Sequence, residues 1–374
     1  MKLFVIAGEA SGDLHASNCM KEMLSLNPDL DIEFTGGPLM EKITGKKSLI
    51  QLEKMAFMGF FEVIKNLGTI KHNFKIIKER ILQFKPKAIL LVDYPGFNLR
   101  MAEWLSKKGF SVYYYISPTV WAWKEKRVEI VRKYIKQMYV ILPFEKAFYK
   151  ERGIDVQYFG HPLIDVVKEK KATLPGREAF IKNNHLSSYP IIAVLPGSRK
   201  QEVERMLGIM TEVVPYFTNY QFVIAGTKNL DAFLYNSIKS ERVKVIFDQT
   251  YELMHHAEAG IIKSGTSTLE SALFDLPQVV CYKAGSISYH IAKKLVDLEY
   301  ISLVNLILNK PAVKDLIQDD FNAENIKTEL ELILNDMIYR NSIISNYDHL
   351  RESLNEGGVS KRIASDLITQ MENV

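Results

Sequence analysis

The stretch IIKSGTSTLESAL, residues 261–273, passes from β-branched residues through a turn of glycine and hydroxyls into a segment with helical spacing. A short apolar run that stops at such a turn and resumes as a helix reads as one strand–turn–helix unit. The unit recurs along the chain. LFVIAG, IEFTGG, AILLVD, SVYYYIS, MYVILP and VQYFG fill the first 160 residues, separated by helical patterns. After HPLIDVVKEKKATLPGREAFIKNNHLSSYP, rich in charge and turn formers, the pattern restarts with IIAVLPG, QFVIAG, VKVIF, AGIIKSG and QVVCYK. This alternation predicts an α/β protein of two doubly wound, mostly parallel sheets with helices on both faces, joined near residues 161–190. We place the domains at 1–165 and 166–345. Beyond about residue 320 the spacing is helical, interrupted by EGGVSKR at 356–362. The segment 346–374 either packs back on the first domain or exchanges with a second copy in a homodimer; the sequence leaves both open.

A chain of 374 residues exceeds what one core usually organises, which agrees with two domains. Its 47% hydrophobic and 25% charged residues are those of a soluble globular protein. The net charge of +4, from 48 basic and 44 acidic side chains, is too small to point to nucleic acid as a partner. Two isolated cysteines, Cys19 and Cys281, make neither a disulfide framework nor a thiolate metal site, and fit a reducing cytoplasm. MKLFVIAGEA meets Glu9 too early for a secretory signal, and no run approaches the roughly 20 apolar residues of a membrane span. Any membrane contact is expected to be peripheral. No repeat of 20–50 residues and no low-complexity tract interrupts this picture.

In open α/β sheets ligands sit at the carboxyl ends of strands, where loops lead into helix amino termini. The turn Ser264-Gly265-Thr266-Ser267-Thr268 has that place, and a helix start offers unpaired N–H groups to an anion. Glu270, one turn on, is an acceptor suited to sugar hydroxyls. The plainer reading is that Ser267 or Thr268 simply caps the helix. A second loop, LPGSRKQEV at 195–203, shifts the balance: Gly197 and Ser198 again end a strand, and Arg199 adds a bidentate donor fork that matches a diphosphate. Two such loops in one domain point to a nucleoside diphosphate. Neither a P-loop nor the G-x-G-x-x-G fingerprint is present, and GEASGDLH at 8–15 does not supply one. Asp29 and Asp31 lie in a turn after NP without further ligands, and His255 and His256 lack ligand spacing, so we expect no metal and no cofactor.

The first half carries polar residues at its strand ends. GEASGDLH brings Glu9, Ser11, Asp13 and His15 after the first strand, and VDYPGFN brings Asp93 and Asn98 after a continuous apolar one. An aspartate at the end of a buried strand is a candidate general base, although Asp is also a common turn residue. YYYISPTVWAWKEKRV at 113–128 sets Trp121 and Trp123 beside Lys124, Lys126 and Arg127, a grouping suited to a phosphorylated, partly apolar ligand and also to a core. Finally, GFFEVIKNLGTIKHNFKIIKERI at 59–81 places Phe60, Val63, Leu67, Ile70, Phe74, Ile77 and Ile81 at helical spacing. Seven basic against two acidic residues between 60 and 87 give it the pattern of a helix on an anionic bilayer surface; a core helix with a solvated face has the same pattern.

Taken together, GEASGDLH, MAFMGFFEV, VDYPGFN, YYISPTVWAWKEKRV, LPFEKAFY, FGHPLID, LPGSRKQEV, SGTSTLESAL and YISLVNLI resemble the lipid-A-disaccharide synthase family, membrane-associated glycosyltransferases of Gram-negative bacteria. The blocks follow the family order from residue 8 to 307. The resemblance implies a GT-B fold, with two facing Rossmann-like domains and the active site in the cleft between them. It implies transfer of 2,3-diacylglucosamine from UDP to the 6-hydroxyl of 2,3-diacylglucosamine 1-phosphate, with inversion and without a metal, to give lipid A disaccharide 1-phosphate.

By the same resemblance Asp93 is the general base. Gly197, Ser198, Arg199, Ser264, Gly265, Thr266 and Ser267 hold the UDP-sugar, with Glu270 on the ribose and Asn305 nearby. Glu9, Ser11, Gly12, Asp13, His15, Asn98, Ser117, Trp121, Lys126 and Arg127 border the acceptor or transferred sugar. Phe60, Phe61, Val63, Ile64, Leu67, Ile70 and Phe74 contact the cytoplasmic leaflet of the inner membrane, from which the acylated donor and acceptor are drawn. Some members carry a second acid where this chain has Gly96, which leaves Asp93 the only carboxylate of its motif. Two other readings are a UDP-N-acetylglucosamine epimerase or hydrolase of the same fold, which needs no membrane helix, and a non-catalytic lipid- or nucleotide-binding protein.

Overall fold

The computed structural model describes residues 1–55, 66–121, 127–228, 230–235, 240–285, 299–355 and 357–373. The chain divides into two compact units, Met1–Pro162 with Gly357–Val374, and Leu163–Glu356.

The first unit is built on six described parallel strands: β1 (Lys2–Ala7), β2 (Asp31–Thr35), β3 (Ala88–Val92), β4 (Ser111–Tyr115), β5 (Gln137–Val140) and β6 (Gln157–Tyr158), in the order β2-β1-β3-β4-β5-β6. The helices between them are α1 (Ala10–Leu26), α2 (Pro38–Thr44), α3 (Leu67–Phe84), α4 (Pro95–Lys107), α5 (Val128–Tyr134) and α6 (Pro143–Glu151). Continuous apolar runs form the central strands because both faces are covered, and successive side chains alternate between them. Leu3, Val5 and Ala7 pack with Cys19, Met20 and Met23 of α1 on one face. Phe4 and Ile6 pack with Ile77 and Ile81 of α3 and Phe97 and Leu105 of α4 on the other.

The second unit repeats the plan with β7 (Ile191–Leu195), β8 (Gln221–Gly226), β9 (Val243–Phe247), β10 (Ala259–Lys263), β11 (Gln278–Tyr282) and β12 (Lys314–Ile317), ordered β12-β11-β10-β7-β8-β9. Its helices are α7 (Leu163–Lys171), α8 (Arg177–Asn183), α9 (Lys200–Thr211), α10 (Thr250–His256), α11 (Thr266–Leu273), α12 (Leu303–Leu308), α13 (Ala323–Asn335) and α14 (Met337–Ser353). Each sheet has one point where the strand order reverses, between β1 and β3 and between β7 and β10. Loops leaving such a pair of strands diverge to opposite faces and open a crevice.

The sequence reading divides the chain at 165/166 and starts the returning segment at 346; in the structure the divisions fall after 162 and 356. Tyr347 is the reason α14 stays whole in the second unit. Its buried phenol receives Gln278 Nε2 at 3.2 Å and donates to the Leu276 carbonyl at 3.1 Å. The break comes at Gly357 and Gly358, both with positive φ (92° and 69°), a conformation glycine adopts without steric penalty. Helix α15 (Val359–Glu372) then packs Val359, Ile363, Leu367 and Met371 on the face that carries α1. Asp366 accepts the Tyr139 hydroxyl at 2.7 Å.

The proposed membrane stripe is divided by the structure. Phe60, Phe61, Val63 and Ile64 lie outside the described residues. Ile70 and Phe74 are partly buried and pack against the core under α3, and the Phe74 ring stacks on Phe97 with centroids 3.9 Å apart. Leu67, at the start of the helix, is 44% exposed. From Ile70 to Ile81 the stripe faces the core, because α3 must cover Phe4 and Ile6 of the sheet. No described helix is long and apolar enough to cross a membrane.

Candidate functional site

At the first switch point β3 ends in a strained turn. Asp93 and Tyr94 have φ of 46° and 49°, and on the neighbouring strand end Ile116 has φ 67°. Non-glycine residues there cost on the order of 1–3 kcal/mol each and persist only where the surroundings impose them. The Asp93 carbonyl receives Tyr114 Oη at 2.6 Å and Asn98 Nδ2 at 2.8 Å, and the Asp93 N–H donates to the Tyr115 carbonyl at 2.8 Å. The Tyr94 ring lies over Gly8, where a Cβ would collide with it, and its hydroxyl donates to the Met55 carbonyl at 2.5 Å.

This clamp leaves the Asp93 carboxyl part-buried at the strand end. Burial pushes it up to about 7; the charge of Glu9 adds to the shift and the Tyr94 N–H opposes it. A carboxyl poised near neutrality suits a general base. Arg127, at the start of α5, is close enough to the Tyr114 phenol to interact with it electrostatically. Lys126 lies outside the described residues, as do Trp123 and Lys124.

Several residues expected to border a sugar have other work. Asn98 is fully buried, and its amide also reaches the Val92 carbonyl at 3.2 Å, so it shapes the turn. Asp13 accepts the N–H groups of Gly37, Leu39 and Met40 at 3.0–3.1 Å, capping α2 across the fold. Gly12 is buried beneath Ala7 and Val92. His15 is buried and held neutral, its pKa lowered to about 4 by desolvation, and its Nδ1 has no partner among the described residues. His161 of FGHPLID lies close to it and is lowered to about 3, chiefly by burial; two imidazoles so near each other also oppose each other's protonation. Of GEASGDLH, Glu9 and Ser11 remain accessible.

Ser117 is buried and shares a hydrogen bond with Tyr149 Oη at 2.9 Å. Trp121 donates its indole N–H to Glu145 Oε1 at 3.2 Å and meets Phe144 edge-on. The second oxygen of Glu145 accepts the Leu142 and Ile141 N–H groups, and burial pushes this carboxyl up to about 7. The local signal for Glu145 in LPFEKAFY is an acid three residues after Leu142, placed to cap α6.

In the second unit β7 and β10 are hydrogen-bonded neighbours, Leu195 opposite Ile262, which sets the loops 196–199 and 264–266 side by side. Ser198, Arg199 and Thr266 are exposed, and Gly265 and Ser267 partly so. Three loop hydroxyls are engaged internally: Ser264 donates to the Ile301 carbonyl at 2.9 Å, Ser267 to the Lys263 carbonyl at 3.2 Å and Thr268 to the Gly265 carbonyl at 2.8 Å. What the two loops leave open to an anion is the amino end of α11, the Arg199 guanidinium and the exposed Ser198 and Thr266. Glu270 accepts Tyr251 Oη at 2.7 Å and is shifted up, mainly by burial.

Asn305 is buried and holds backbone: its Oδ1 accepts the Ala312 and Val313 N–H groups at 2.8 and 2.9 Å and its Nδ2 donates to the Val313 carbonyl. Two charged residues escaped the sequence reading. Lys263 lies within IIKSGTSTLESAL and Glu202 within LPGSRKQEV, and nothing in the local spacing marks either out. Their Nζ and Oε1 stand 2.9 Å apart between the two loops.

A family model described as Lipid-A-disaccharide synthetase matches residues 3–365. Lipid-A-disaccharide synthases of Geobacter metallireducens, Coxiella burnetii and Syntrophus aciditrophicus are 32%, 33% and 35% identical to this chain. The alignments cover 99%, 97% and 98% of it and 97%, 96% and 97% of those proteins. Among solved structures, the fold is similar to UDP-GlcNAc 2-epimerase from Neisseria meningitidis bound to UDP-GlcNAc, with TM-score 0.71, 13% identity and 99% of this chain and 100% of that one covered. The Methanocaldococcus jannaschii 2-epimerase in complex with UDP-GlcNAc and UDP gives TM-score 0.67 at 15% identity, over 99% and 100% of the two chains. At such identities the likeness carries the fold alone, and with the two parallel-sheet units it gives the GT-B class. Sequence relatedness over nearly the whole length carries the rest: the chain belongs to the lipid-A-disaccharide synthase family.

Proposed function

We propose that this protein transfers a 2,3-diacylglucosamine unit from UDP to the 6-hydroxyl of 2,3-diacylglucosamine 1-phosphate. Asp93 takes the hydroxyl proton as O6 attacks the anomeric carbon. The bond from that carbon to the diphosphate breaks, UDP leaves, and the configuration inverts. Charge that builds on the departing diphosphate is met by Arg199 and the amino end of α11. Full-length family membership supports the reaction, and the observation that carries the mechanism is the clamped Asp93 carboxyl, raised to about 7 at the first switch point.

Both substrates are acylated, which favours peripheral association with the cytoplasmic leaflet. Lys71 and Lys75 on the solvent face of α3 suit an anionic surface, each worth about 1 kcal/mol near it. The test is turnover in detergent micelles with both lipids, following the disaccharide by mass. A product that needs both lipids is expected. UDP release without disaccharide points instead to a hydrolase, and consumption of neither lipid, with a known synthase active in parallel, overturns the substrate assignment.

A further inference from the structure

The Lys263 ammonium has no part in the mechanism above, yet it stands at the centre of the second switch point. It closes β10 immediately before the Ser264–Gly265 turn, and its Nζ lies 3.6 Å from where a Cβ on Gly265 would be. Glu202, from the first turn of α9, meets it at 2.9 Å, and the same Oε1 lies 3.4 Å from Arg199 Nη1. The other oxygen of Glu202 fills the space beside Gly197, whose φ of 108° and missing Cβ admit it. Lys263 and Glu202 are only 18% and 19% exposed, whereas Arg199 is 56% exposed. One carboxylate thus sits among two cations and two glycine turns.

We propose that Lys263 is a further diphosphate-binding cation of this chain, and that Glu202 occupies it in the free protein as an internal anion that the nucleotide displaces. The proposal rests on the UDP reading of the two loops. An ammonium this sheltered and left unpaired carries a desolvation penalty, so the free protein needs a counter-ion there. A diphosphate brings more charge and more acceptor oxygens than one carboxylate and competes for the same donors. On binding, Lys263 and Arg199 pass from Glu202 to phosphate oxygens; on release they return. Glu202 therefore weakens nucleotide binding through Lys263, and holds the empty site in a compensated state.

The experiment is calorimetric titration of UDP into the full-length protein, its Lys263→Gln and Glu202→Gln variants, and the double variant. Lys263→Gln is expected to weaken binding roughly tenfold, the scale of one charge-assisted hydrogen bond. Glu202→Gln is expected to tighten it by roughly threefold or more, an effect that falls below about twofold when Lys263 is already gone, because contacts that share a partner are not additive. A purely structural pair would not give that coupling. Thermal unfolding without nucleotide checks each fold; if Glu202→Gln does not fold, Glu202→Asp, whose shorter reach loosens the pair, is expected to tighten binding in the same direction. Wild-type affinity in Lys263→Gln alongside weakened binding in Arg199→Ala overturns the proposal and leaves the UDP reading standing. Absence of UDP binding by the wild type overturns both.

Discussion

Asp93 and Arg199 both follow a strand buried on both faces that stops at a topological switch point, yet their surroundings differ. Around Asp93 the backbone is forced into the left-handed region and a carboxyl is drawn out of water until it titrates near 7. Around Arg199 the charges stay paired: Arg199 and Lys263 share Glu202, and the guanidinium remains in solvent. A group that must change protonation state gains from desolvation, because desolvation moves its pKa toward the working pH. A group that must attract an anion needs its charge at every pH, and a counter-ion preserves it.

The largest test of this contrast is Asp93→Asn. It is expected to lower kcat by about 10³-fold, within the usual contribution of general-base catalysis, while calorimetric UDP affinity stays within about twofold. Retained turnover would remove the desolvated acid from the comparison.

Next is ionic strength. Raising salt from about 0.05 to 0.5 M is expected to weaken UDP binding by roughly fivefold, since exposed charges are screened over a few ångströms. The midpoint of the acid limb of kcat is expected to stay near 7, because burial dominates that shift. Movement of both together would make the two sites electrostatically alike.

Smallest is stability. Asp93 and Glu145 both have folded-state pKa values raised to about 7, above those of the unfolded chain. The folded state then binds more protons between about pH 4 and 7, so stability present below the unfolded values is lost as pH rises through 7. The midpoint of thermal unfolding is expected to fall by a few degrees between pH 6 and 8, and the fall is expected to shrink in Glu145→Gln.

The strands and the two glycine loops of the second unit could be read from sequence because their signals are local: a continuous apolar run, then glycine. Asp93 stood out for the same reason. The backbone contacts of Asp13, Asn98 and Asn305 were not legible, because the residue types that grip a sugar are also those that satisfy bare backbone N–H and C=O groups. Only the position of Gly37, Val92 and Val313 in space tells the two uses apart. Ile70 and Phe74 fit a bilayer or a sheet equally well until the sheet's own apolar face is known to need covering. Lys263 was hidden by its neighbours, since an apolar strand ending in lysine reads as a strand that has merely reached water.

The return of residues 357–373 to the first unit imposes an order on biosynthesis. When Pro162 leaves the ribosome, Cys19, Met20 and Met23 still lack the α15 side chains that pack with them, and all of the intervening unit must be made first. The second unit, continuous from 163 to 356, can close as soon as it emerges, while the unit that carries Asp93 waits with a sticky flank. The continuous unit is therefore complete in the nascent chain before the unit that carries Asp93 can close.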